Sequence, residues 1–418
     1  MSSRRRLLVG LSFALASILC FAAAGVSRAG ALRLTPPQQR ALTQIERTTQ
    51  QIRGLTALRP VRVVLAPDKQ FNTAVNREMR RLSPESDIQT GQREDVLLGF
   101  LNRGQSLHKI LFQNTTSQVI GLYDRHEKVL YVRNHGNVAL GIEGWSIAHE
   151  YTHALQDQHY NLRRLMPDNP GTYRNTDAIS ARHALTEGDA VLTQLLYRQK
   201  TYTAREMREL ASYEAHFPTQ PLPRALEREF EFPYTTAVQF VEDLYTAGGM
   251  SRVDAAYRRP PTSTYEIMHP NAYVSGWSPV SVTLHSARGF GGWKRVDDDV
   301  FGAEGYQVLL WQYLPEKTAN AISGAYRGDR YIFLERGQRD AMLFKSVWKG
   351  PAAARAARDA LLKALRVRFK HLVVASRSPL IAVYGGGAVY LATNGSRLTM
   401  AYAPTRALAR SLGTARTS

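Results

Sequence analysis

The residues best suited to chemistry lie in "SIAHEYTHALQDQHY", residues 146–160, where His149, Glu150 and His153 form the pattern H-E-x-x-H. Written as a helix of 3.6 residues per turn, the pattern stacks His149 and His153 one turn apart on one face, with Glu150 in the same half. Ala148, Tyr151 and Leu155 fall on another side, where they can pack into a core. Two neutral imidazoles suit Zn²⁺, and a catalytic zinc takes three protein ligands and keeps one position for water. Glu150 stands beside that position as a general base, because the metal lowers the pKa of the water and a carboxylate accepts its proton. A purely structural zinc site has no need of such a base.

The third ligand has to come from another segment. "ISARHALTEGDAVLTQLLY" offers Glu187 within an apolar helix, where a carboxylate is costly to bury without a cation or other partner. His183, one turn earlier on the same face, competes with it. Glu187 is preferred because two histidines and a glutamate form an established catalytic zinc set. Gly188 lowers helix propensity but lets another backbone come close, which is expected to help this helix approach the first. "STYEIMHPNAY" adds His269 and Tyr273 as candidates for stabilising an oxyanion; the competing reading is a helix-ending His-Pro corner with Tyr273 packed beneath it.

The paired motifs "HEYTHALQDQ" and "ALTEGDA" resemble a group of exported bacterial metallopeptidase-like proteins. These belong broadly with the gluzincins, zinc peptidases whose third ligand is a glutamate on a following helix. "VIGLYDRHEKVLYV", "PTSTYEIMHPNAY" and "GDRY…W" look like further segments of that group, so the resemblance extends over most of the chain. It implies zinc ligands at His149, His153 and Glu187, the catalytic base at Glu150, and a peptide or protein substrate. One departure stands out. In the thermolysin-like pattern an aspartate one turn after the glutamate ligand supports a zinc histidine, and here Val191 occupies that position. Asp189 is expected to point to the opposite side of the helix, which leaves Asp157 as the candidate support.

The elements that must position these residues follow from periodicity and turn signals. "PPQQRALTQIERTTQQIRGL" reads as a helix opened by Pro36 and Pro37, "VRVVLA" as a strand, and residues 71–103 as helical. Val119–Tyr123 and Val129–Val132 read as two β segments; Tyr123 would lie either on an edge open to an extended peptide or in an ordinary hairpin over the site helix. Helices follow over 144–160 and about 176–198, then a helical region over about 204–247 broken by "FPTQPLPR". Beyond about residue 290 the order becomes β-β-α-β-β-α, with "GDRY" and Trp348 assigned to its core. The expected fold class is α+β: a mainly helical zincin-like domain with a short sheet over 31–290, then a small α+β domain over 291–418.

The first thirty residues carry the signature of export. "MSSRRRLLVGLSFALASILCFAAAGVSRAG" has a basic start, an apolar run from Leu7 to Ala24, and small residues fit for cleavage. The expected location is periplasmic or extracellular, and an uncleaved segment would anchor the chain to a membrane. Cys20, the one cysteine, lies inside this segment, so a chain cut downstream must build any metal site from His, Asp or Glu. The segment's four arginines bring the net charge from +19 to +15 when removed. Such a surface is drawn to acidic polymers and anionic membranes, but Lys and Arg form no dense run, so no nucleic-acid partner is expected. The competing reading of the whole is a non-catalytic envelope protein that contains zinc and binds a cell-surface polymer or partner.

Overall fold

The computed structural model describes residues 34–118, 120–134, 144–168, 175–215, 221–284 and 290–415. The expected export segment lies outside these residues, and among the described residues no helix is long and apolar enough to cross a membrane. The architecture is α+β, with helices dominating before residue 290 and a long antiparallel sheet after it.

The first helix, Pro36–Arg53, opens on a capping box: Thr35 accepts from the Gln38 N–H while the Gln38 side chain accepts from the Thr35 N–H. It closes at Gly54, whose φ of 73° suits a residue without Cβ. Strands β1 (Arg62–Ala66), β2 (Gly121–Asp124) and β3 (Val129–Arg133) form a small sheet in the order β1-β3-β2, so β2 is an edge. The β2–β3 turn is shaped by Asp124, whose Oδ1 accepts from the amides of His126 and Glu127 at 2.8 and 2.9 Å. Tyr123, Leu130 and Val132 of this sheet share a core with Leu42 and Ile45 of the first helix. Ala148, Tyr151 and Leu155 join that core, the side of their helix that sequence periodicity assigns to packing.

The helix carrying H-E-x-x-H spans Gly144–Tyr160 and is called the histidine helix below. It stops where Asn161 takes a left-handed conformation, φ 55° and ψ 80°, which asparagine tolerates better than most residues. The glutamate helix, Thr176–Thr201, starts at Asn175, whose side chain accepts from the Ala178 N–H at 3.0 Å. Gly188 does allow a close approach, but to a different neighbour from the one expected. A Cβ there would stand 2.5 Å from the carbonyl oxygen of Ala237, in helix Thr236–Arg258, rather than against the histidine helix.

The last third is a seven-stranded antiparallel sheet. Its members are β4 (Lys294–Asp299), β5 (Tyr326–Arg336), β6 (Arg339–Trp348), β7 (Val373–Arg377), β8 (Leu380–Tyr384), β9 (Gly387–Asn394) and β10 (Arg397–Ala403), in the order β4-β5-β6-β10-β9-β8-β7. Period-two alternation loads both faces. Tyr331, Phe333, Met342 and Phe344 pack under helices Gly302–Trp311 and Pro351–Arg368, while Ile332, Leu334, Ala341 and Leu343 pack with Ala409 and Leu412 of helix Arg406–Thr414. Trp348 is buried in this core, its indole N–H donating to Ser346 Oγ at 2.9 Å.

The sheet also reaches back to the helical part. Leu98, Phe100 and Ala225 join its first core. Asp299, at the end of β4, accepts from the Thr176 amide at 2.9 Å and from its hydroxyl at 2.6 Å. A carboxylate at that point satisfies orphan amide donors and opposes the positive end of the helix dipole. The glutamate helix is therefore fixed at its start by the C-terminal sheet.

Candidate metal centre

His149 and His153 leave the histidine helix on one face, and Glu187 meets them from the glutamate helix. Their donor atoms all lie within 4.8 Å of one another. The two Nε2 atoms are 3.1 Å apart, His149 Nε2 is 3.4 Å from Glu187 Oε2, and His153 Nε2 is 3.5 Å from Glu187 Oε1. Ligand atoms held tetrahedrally about 2.0–2.1 Å from one zinc ion would be separated by about 3.3 Å. The two Glu187 distances run to different carboxylate oxygens, so these separations are of the size a shared zinc ion needs without being three edges of one set of donor atoms. All three side chains are buried, as is Glu150.

The charges tell the same story. Burial by itself opposes a charged His153, yet the Glu187 carboxylate beside it, with help from Glu150, pushes its pKa up to about 9. Burial by itself raises Glu187, yet the charge on His153 and hydrogen bonds from His149, His153 and His183 hold it well below the usual carboxylate range. A buried carboxylate that draws protons onto its neighbours favours positive charge at this point, which a divalent ion would supply.

Each imidazole is braced from behind by an amide oxygen. Gln194 Oε1 lies 2.9 Å from His149 Nδ1, and Gln156 Oε1 lies 2.9 Å from His153 Nδ1. An amide oxygen only accepts, so Nδ1 carries a proton in each ring, which leaves Nε2 as the atom that would offer its lone pair to a metal in place of a proton. Sequence reasoning missed both glutamines. Gln156 follows His153 by three residues and Gln194 follows Glu187 by seven, the spacings that share a helix face.

Asp157 does not support a ligand, contrary to expectation. It accepts from the Tyr123 hydroxyl at 2.8 Å and the Leu162 amide at 3.1 Å, and pairs with Lys128 at 2.5 Å. Asp189, expected to point away, instead accepts from Gln156 Nε2 at 2.8 Å and so reaches His153 through that amide. His183 is buried on the glutamate helix with Nε2 3.2 Å from Glu187 Oε1, so it contacts the ligand carboxylate. Burial lowers its pKa, against the opposing pull of Glu187.

Glu150 stands apart from this bracing. Its Oε2 accepts from the Tyr123 amide at 2.8 Å, on the edge of β2. Gly121 makes the fit possible, since a Cβ there would lie 2.8 Å from Glu150 Cγ. The β2 edge is thus real, but the amide that would greet an extended peptide at Tyr123 already serves Glu150.

Tyr234, in the short 3-10 turn Phe232–Tyr234, is a second group that sequence reasoning missed. Its hydroxyl hydrogen bonds Glu187, and burial followed by the Glu187 and Glu150 charges raises its pKa well above the ordinary phenol value. It is a neutral proton donor at the centre. His269 and Tyr273 make contacts with other residues. The His269 ring lies 4.4 Å from that of Tyr265, while the Tyr273 hydroxyl donates to the Arg259 carbonyl at 2.9 Å and its ring meets Phe240 edge-on.

Comparison with known proteins adds one finding. A family described only as a domain of unknown function, DUF8575, matches residues 289–412. The match covers the seven-stranded sheet and leaves both site helices outside it. No curated protein and no solved structure matches the chain.

Proposed function

We propose that this chain is an exported, gluzincin-type zinc metallopeptidase that hydrolyses peptide bonds. The observation that carries the reading is the convergence of His149, His153 and Glu187, with one donor atom from each within 4.8 Å of the others, beside a carboxylate that coordination does not require. Zinc held by His149, His153 and Glu187 would supply a Lewis acid that polarises the substrate carbonyl and acidifies water. Glu150 acts as the base, oriented by the Tyr123 amide; it takes a proton from the attacking water and passes it to the leaving amine as the C–N bond breaks. Tyr234, held neutral by its surroundings, would turn its one O–H from Glu187 to the oxyanion that forms on the former carbonyl. Gln194 and Gln156 keep the two imidazoles in the tautomer that coordination demands.

Glu150→Gln tests this. The variant should retain zinc and lose turnover of an unstructured protein such as casein by ~10²–10⁴-fold; turnover at the wild-type rate overturns the assignment. The second reading, a non-catalytic zinc-containing envelope protein, draws support from His183, whose imidazole 3.2 Å from Glu187 could close the site. Full zinc loading with no hydrolysis by wild type, restored by no change at His183, would favour it.

A further inference from the structure

His153 owes its orientation to a line of buried groups that ends on the first helix. Gln156 Nε2 donates to the Thr186 carbonyl at 3.0 Å and to Asp189 Oδ2 at 2.8 Å. Both are acceptors only, so the amide must turn its NH₂ toward them and its oxygen toward His153. That polarity forces the proton onto His153 Nδ1. Asp189 is held in place by Arg53, whose Nε lies 2.7 Å from Oδ1, and by the Tyr257 hydroxyl, which donates to Oδ2 at 2.7 Å. Arg53 is the last residue of helix Pro36–Arg53 and its side chain has no solvent exposure. Its Nη1 lies 2.8 Å from Asp254, which also accepts from the Tyr160 hydroxyl at 2.7 Å. Burial opposes the charge on Arg53, but Asp189, Tyr257 and Asp254 more than offset it.

We propose that Arg53 and Asp189 are positioning residues that act through Gln156 to set His153 for metal binding, which couples docking of the first helix to metal affinity. The inference rests on the metal reading above. The plain alternative is an ion pair that only fastens the first helix to the glutamate helix. That alternative predicts lost stability with no link between Asp189 and Gln156 in metal affinity.

A double-mutant cycle on the zinc dissociation constant separates the two, measured on the whole chain by competition with a chromophoric chelator. Asp189→Asn and Gln156→Met should each weaken zinc binding by ~10–100-fold, as loss of groups supporting a ligand does. The double variant should be no weaker than the weaker single variant, because both changes cut the same line. Tyr257→Phe removes one donor to Asp189 and spares the ion pair, so it keeps the test open if Asp189→Asn fails to fold. It should weaken binding by roughly threefold alone and by nothing in the Gln156→Met background. Effects that multiply across the cycle, or unchanged affinity in folded Asp189→Asn or Tyr257→Phe, would overturn the inference while leaving the metal site in place. A wild-type chain that takes up no zinc overturns the metal reading, and this inference with it.

Discussion

The two site helices bury His149, Glu150, His153, Gln156, Asp157, Glu187, Asp189 and Gln194, whereas the central strands of the C-terminal sheet bury mainly apolar side chains, with Asp329 and Ser346 as polar exceptions. The contrast separates two jobs. Apolar burial stabilises the sheet at about 25 cal/mol per Å² and asks nothing of orientation beyond packing. Burying charged and polar groups costs free energy unless each is paired, so these helices depend on oriented partners where the sheet depends on packing. The sheet in turn supports the site, since Asp299 fixes the first residue of the glutamate helix. Asp329 does similar work one layer away. It accepts from the amides of Phe301 and Gly302, both at 2.9 Å, while burial raises its pKa to about 6.

The comparison can be broken from either side. Trp348→Ala, in the sheet core, should cost about 3–5 kcal/mol in chemical denaturation, the usual range for removing a large buried aromatic. A negligible loss would mean that the sheet is not the main source of stability. Gly188→Ala should cost about 1–3 kcal/mol, because the new Cβ must push aside the Ala237 carbonyl between two close helices. Zinc affinity should fall with it, since Glu187 is the adjacent residue.

The pH response of the metal-free protein sharpens the same contrast. His153 titrates higher in the folded chain, about 9, than its ordinary 6.5. Its contribution to stability is therefore fully present below pH 6.5 and disappears as the pH rises through 9. Glu187, depressed by folding, contributes above its ordinary 4.5 and loses that contribution as the pH falls through its lowered folded-state pKa. Thermal unfolding of the chelator-treated protein should accordingly show Tm falling between pH 6.5 and 9. His153→Gln should flatten that fall, and an unchanged slope would contradict the assigned pairing. The smallest effect expected is at the joint between the regions. Thr176→Val removes the hydroxyl bound to Asp299 and should cost about 1 kcal/mol, read by denaturant titration.

The parts of this arrangement that depend on one helix were legible in the sequence. The stacking of His149 over His153 follows from spacing alone, and an acidic residue in an apolar stretch marked Glu187. What was lost depends on a second element. A helical wheel turns Asp189 away from Glu187, and only Gln156, reaching over from the histidine helix, brings it to the centre. Tyr234 arrives from a 3-10 turn with no periodicity to announce it. The strands that escaped notice have the same explanation: "KRVDDD" in β4 carries one apolar residue in six, and its pairing with β5 is what makes it a strand. Helices Gly302–Trp311 and Glu316–Ser323 were also absent from the sequence reading; the first is buried along almost its whole length, so it shows no polar face.

The most direct test of the central claim is the zinc content of the purified chain by plasma emission, wild type beside Glu187→Ala, with circular dichroism to establish that both are folded. One zinc per wild-type chain and less than about a tenth of that in the variant is the predicted result, because a catalytic zinc relies on three protein ligands. Equal zinc in the two proteins, or none in either, would contradict it.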